Sequence, residues 1–135
     1  MSTRFLAVSV PGEPCYLKAV RNFFNTALGD LFGDQADMVV LALDESCSNI
    51  LKYSQEGKVL NVSAELQPEK IVFRIENFCD GEDIPKIKPR ELKSVRPGGL
   101  GTHFIQRIMD RVDFEPQPDC PGRYSLVLEK SLPGK

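Results

Sequence analysis

The chain has no tryptophan, a single histidine and no Cys-x-x-Cys pair. Each scarcity removes a class of function. With His103 alone, and cysteines scattered at positions 15, 47, 79 and 120, the sequence offers no ligand set with the spacing of a zinc site. No apolar run approaches the roughly 18–20 residues of a membrane span. The N-terminus lacks the basic-then-apolar order of a signal peptide. A cytoplasmic protein without membrane contact is therefore expected, with its thiols reduced and Cys47 packing as a small apolar side chain. Charge of one sign is scarce too: 17 Lys and Arg stand against 19 Asp and Glu, a net charge of −2. That balance argues against nucleic acid as a partner, because such a surface needs a clear basic excess or stripe. At 135 residues the chain is most simply one domain, 1–135, long enough to bury a core.

Hydrophobic periodicity then gives the elements. Residues 4–10 alternate as a strand, and Pro11-Gly12 turns the chain. Residues 14–31 read as a helix with Leu17, Val20, Phe24, Ala27, Leu28 and Leu31 at spacings of three and four. A second helix is expected over 35–54, its buried stripe made by Val39, Val40, Leu43, Cys47, Ile50 and Leu51. Strands over 58–66 and 70–76 follow, joined by Gln67-Pro68-Glu69. Residues 77–97 show no periodicity and carry Pro85, Pro89 and Pro97; a stretch of that kind inside a compact domain is usually functional or mobile. A helix near 103–112 buries Leu100, Phe104, Ile105, Ile108, Met109 and Val112, and strands near 111–115 and 123–129 close the chain. The architecture expected is α+β, helices laid on one face of a mixed, mostly antiparallel sheet.

Two clusters carry chemistry. In Arg96-Pro97-Gly98-Gly99-Leu100-Gly101-Thr102, three glycines stand within four residues just before a helix. Such a loop lets the backbone approach an anion, and the helix N-terminus behind it offers unpaired N–H groups and partial positive charge; phosphate is the natural guest. About fifty residues upstream lies Asp44-Glu45-Ser46-Cys47-Ser48-Asn49. Glu45 and Asn49 are four apart and share one helix face. The carboxylate can take a proton from an attacking hydroxyl or water, and the amide oxygen can ligate magnesium. Taken alone, the pair reads more readily as a solvated polar face than as a site.

The order of these pieces resembles the GHKL ATP-binding superfamily, whose domain is the Bergerat fold, and within it the small anti-sigma-factor serine kinases of the RsbW type. Leu43-Asp44-Glu45-Ser46-Cys47-Ser48-Asn49-Ile50 is similar to their N-box. Ile75-Glu76-Asn77-Phe78-Cys79-Asp80-Gly81 falls where their adenine-contacting segment lies. Gly98-Gly99-Leu100-Gly101-Thr102-His103-Phe104-Ile105 is similar to their second glycine box. The likeness covers nearly the whole chain.

The resemblance implies ATP and Mg2+ bound on the helical side of the sheet, with Glu45 as general base and Asn49 as metal ligand. It places Gly98, Gly99, Leu100, Gly101 and Thr102 on the phosphates, Arg96 beside them, Asn77 and Gly81 at the adenine, and residues 78–97 as a lid. Ser125 stands where the family carries a small hydroxyl residue near the adenine. One departure matters: the family's adenine-reading Asp is Asn77 here, and a family glycine is Cys79. An Asn amide still pairs with adenine, but losing the charge weakens the bond by about 1 kcal/mol. The activity implied is an ATP-dependent protein serine/threonine kinase that phosphorylates a small anti-sigma-factor antagonist and holds a sigma factor or another effector inactive; a homodimer is compatible with it. Asn77 and Cys79 keep open a rival, a non-catalytic module that only sequesters partner proteins. A third reading is an ATP hydrolase driving a conformational cycle.

Overall fold

The computed structural model describes residues 4–52, 59–76, 100–116 and 124–133. The order is β1 (Arg4–Pro11), α1 (Leu17–Phe32), α2 (Ala36–Leu51), β2 (Val59–Leu66), β3 (Lys70–Glu76), α3 (Leu100–Ile108), β4 (Arg111–Pro116) and β5 (Tyr124–Ser131). Short 3-10 turns, Pro14–Tyr16 and Gly33–Gln35, lead into α1 and α2. Pro14 opens the first because its missing N–H costs nothing at a helix start. Gly33 stops α1 with φ of 54°, in the left-handed region that a side chain would disfavour.

The α+β architecture read from the sequence is present. The five strands form one sheet in the order β1-β2-β3-β5-β4, and all four pairings are antiparallel, so the expected mixture has no parallel member among the described residues. β4 and β5 form a hairpin that folds back, putting β5 beside β3 and β4 on the edge.

Alternation along the strands decides which face is covered. Leu60, Val62 and Ala64 of β2, Ile71, Phe73 and Ile75 of β3, and Leu126 and Leu128 of β5 join one buried cluster with Val20, Phe24 and Leu28 of α1 and Val39, Leu43 and Cys47 of α2. Phe24 meets Phe73 edge-on, ring centroids 5.9 Å apart, tying the first helix to the sheet centre. α2 packs against both α1 and α3 and is the middle helix of the layer. The register sends the intervening residues to the other face, where Lys70, Arg74, Arg111, Glu115 and Glu129 form a line of ion pairs.

α3 ends sooner than the periodicity suggests. Its last residue is Ile108, and Val112 belongs to β4 rather than to the helix. Two contacts make the stop: Asp110 N–H donates to Glu129 O at 2.8 Å, and Asp110 Oδ2 accepts from Ser131 N–H at 2.7 Å, so the chain is captured by β5.

Candidate functional site

α2 brings its polar cluster to the sheet because its apolar stripe is buried on both sides of it. Ala42, Leu43, Cys47 and Ile50 are all inside, which fixes the rotation of the helix and leaves Asp44, Glu45, Ser48 and Asn49 at the rim of the core, half-buried. Ser46, though polar, is buried; its hydroxyl donates to Ala42 O at 2.8 Å, one turn back. Asp44 pairs with Arg21 of α1 at 3.4 Å. Burial pushes the Cys47 thiol well above its ordinary value, with the Asp44 charge adding to it, so this thiol is an inert packing group. Cys15 is exposed, and no disulfide joins it to Cys47.

Asn49 has an unusual environment. It lines a pocket with Ser46 and Ile50 of α2, Ile105 of α3, Val112 and Phe114 of β4, and Leu126 of β5. The pocket holds about 240 Å³ of empty space, its open mouth included. That is below the roughly 300–1,000 Å³ usual for ligand sites. Its walls are apolar except at Ser46 and Asn49. The Asn49 Nδ2 is buried and has no hydrogen-bond partner among the described residues, while Oδ1 faces Lys52 Nζ at 3.5 Å. A buried amide nitrogen left unpaired costs about 1–3 kcal/mol, so the position asks for an acceptor from outside the chain. Glu45 stands one turn before Asn49 on the same helix but does not line the pocket, and makes no hydrogen bond or ion pair among the described residues.

The other expected site residues divide into three groups. Leu100, Gly101 and Thr102 form the first turn of α3, so the glycine cluster does run into a helix start. Ile105, one turn further on, faces Asn49 across the pocket. Asn77, Gly81, Arg96, Gly98 and Gly99 lie outside the described residues, as do the expected lid, Cys79 and Cys120. Ser125 pairs with Glu76 and Glu115, and its neighbour Leu126 is the residue that lines the pocket. Strand alternation turns the two side chains to opposite faces of the sheet. Sequence reading missed Val112, Phe114 and Leu126 as pocket residues, since only the β3-β5-β4 order brings them opposite α2.

The residues fit a nucleotide and its metal in two respects. Among the described residues no three His, Cys, Asp or Glu side chains gather into a cation cage. Mg2+ needs none, because it is commonly held by one or two side-chain oxygens together with substrate phosphates and water. Asn49 supplies one such amide, beside a helix whose N-terminus is preceded by the glycines.

Known proteins resemble this chain over most of its length. A family model described as Histidine kinase-like ATPase domain matches residues 10–121. The chain is 24% identical over 142 aligned positions to Serine-protein kinase RsbW of Staphylococcus aureus, covering 93% of this chain and 88% of that relative. Among the described residues no helix is long and apolar enough to cross a membrane. A match over most of the length, on an antiparallel sheet with its helices on one face, places the chain in the family of histidine kinase-like ATPase domains.

Proposed function

We propose that residues 1–135 form one nucleotide-binding domain that works as an ATP-dependent protein serine/threonine kinase in a cytoplasmic partner-switching circuit. The observation that carries this reading is the Asn49 amide nitrogen, buried and without a partner among the described residues in a pocket that Ile105 of α3 helps to line, one turn from a carboxylate with no partner of its own among those residues. A domain that only packed would gain by an apolar residue at position 49.

In the proposed reaction Glu45 accepts the proton of a serine or threonine hydroxyl on the protein substrate as that oxygen attacks the γ-phosphorus of ATP, and ADP leaves. Asn49 would hold Mg2+ through its amide oxygen once the amide is turned over, Oδ1 leaving Lys52 for the phosphate side. A metal held there would offset the negative charge gathering on the phosphate oxygens. Backbone N–H groups of Gly98 to Thr102 hold the phosphates, the start of α3 adding its partial positive charge, and Arg96 stands beside them. The apolar pocket walls, Ile50, Ile105 and Leu126, exclude water beneath the nucleotide. Asn77 and Gly81 are assigned to the adenine.

The substrate proposed is a small antagonist protein, and the effector held inactive is a sigma factor or a comparable regulator. The similarity to a serine-protein kinase supports a protein serine as the acceptor; the antagonist and the effector rest on the resemblance of motifs. A sequestering module without chemistry is favoured by Asn77 and Cys79 and opposed by Glu45 and Asn49 standing in register. Radiolabelled ATP separates the readings. Label passing to a serine of an added antagonist supports the kinase, phosphate released without any partner supports a hydrolase, and neither outcome supports the module.

A further inference from the structure

The core uses less of α2 than its sequence supplies. The buried stripe, from Ala36 through Val39, Leu43 and Cys47 to Ile50, already seats the helix in the layer. Met38 and Leu41 lie outside that stripe and are 46% and 45% exposed. Among the described side chains no other large apolar residue of α1, α2 or α3 is as exposed. Single apolar residues on a surface are ordinary, but these two are three apart and so adjacent on one helix face. The same face carries Glu45, four residues after Leu41 and seven after Met38. At its other end stand Asp34 and Asp37, both exposed, four residues before Met38 and Leu41. Neither makes an ion pair among the described residues, whereas Asp44, on the flank of this face, is paired with Arg21 of α1. From Glu45 toward the start of α2 the face is therefore a carboxylate, an apolar step and an acidic end.

We propose that this face of α2 is the docking surface for the protein substrate, and that its occupant is the extended segment around the acceptor serine or threonine. The inference rests on the kinase reading and adds to it what the acceptor segment must contain. One helix carries both the apolar step and the proposed base, so a chain delivering its hydroxyl to Glu45 passes over Leu41 and Met38. At about 1.5 Å of rise per residue, Leu41 lies about 6 Å, Met38 about 10 Å and Asp37 about 12 Å back along the axis from Glu45. An extended segment covers these spans in about two, three and four residues. The segment therefore carries an apolar side chain two or three residues from the acceptor, covering Leu41 and Met38. Beyond it stands a lysine or arginine that meets Asp37, with Asp34 behind.

The test is a positional-scanning library of serine peptides, one position near the serine fixed at a time, incubated with the full chain, Mg2+ and radiolabelled ATP. The parent is expected to favour Leu, Ile or Met over a charged residue roughly five- to ten-fold at a position two or three from the serine. At about four residues from it, Lys or Arg is expected to win over Asp or Glu. Leu41→Asp should turn the apolar preference into one for Lys or Arg. Asp37→Lys should reverse the charge preference at the outer position and keep the apolar one. Both changes fall on exposed side chains, and each preference is a ratio within one protein, so a loss of total activity does not mimic the swap. A parent without the apolar preference, or preferences unchanged in both variants, overturns the proposal and gives the face to another occupant. A parent that binds ATP with magnesium but labels no peptide overturns it too, while leaving the kinase reading standing; a parent that binds no ATP removes both.

Discussion

Asn49 and Lys52 face each other one turn apart at the end of α2, Nζ lying 3.5 Å from Oδ1, so the amide oxygen is turned toward the helix end and the nitrogen into the apolar pocket. This orientation leaves a polar group without a partner among the described residues. Asn49→Ala is therefore expected to hold or raise the melting temperature of the nucleotide-free protein, in the direction of the 1–3 kcal/mol or so that an unsatisfied buried group costs. A fall comparable to that of a core truncation would mean that Asn49 is a structural residue with a partner in the fold.

Glu45 is predicted to act on the proton and not on the nucleotide. Glu45→Gln keeps the size and hydrogen-bonding capacity while removing basicity. Transfer to a protein substrate should be abolished, with ATP affinity within a few-fold of the parent. Transfer persisting at a comparable rate would assign the base elsewhere.

The contact between Phe24 and Phe73 ties α1 to the centre of the sheet, with both rings fully buried. Phe73→Ala removes a large side chain from a site with little room to collapse. A loss of about 3–5 kcal/mol is expected in urea unfolding. A loss under about 1 kcal/mol would contradict the packing described.

The helices were readable because their stripes repeat over sixteen residues each, and α1 and α2 fall within a few residues of their expected ends. The end of α3 was not. Val112 stands four residues after Ile108, which suits a helix, and two before Phe114, which suits a strand; only the capture of Asp110 by Ser131 and Glu129 decides between them. The face that Ser125 takes is hidden in the sequence for a related reason. Leu126, Val127 and Leu128 are all apolar and all buried, so the run conceals which parity faces the helices. Glu45 and Asn49 could be picked out because helical spacing is local. The pocket walls from β4 and β5 could not, because their approach depends on strand order.

Acid should weaken the fold through two carboxylates on the β4–β5 side. The Ser131 backbone N–H holds Asp110 below its ordinary value, and hydrogen bonds from Lys70 and then Arg111 do the same for Glu129. A depressed folded value means stabilisation that is complete above the ordinary carboxyl range near pH 4 and lost as pH falls through the folded values. Both groups are near the surface, so the effect is modest. Melting temperature should decline from about pH 5 downward. Glu129→Gln should lower it at neutral pH and flatten that decline; a variant curve parallel to the parent's would remove Glu129 from the account.

Calorimetric titration of ATP, with and without magnesium, on the parent protein and on Asn49→Ala tests the central claim most directly. The account predicts binding that strengthens with magnesium in the parent and loses most of that magnesium dependence in the variant, with the variant still folded. Binding that is indifferent to magnesium, or equally strong in Asn49→Ala, would contradict the assignment of the metal to Asn49 and, with it, the kinase reading built around that pocket.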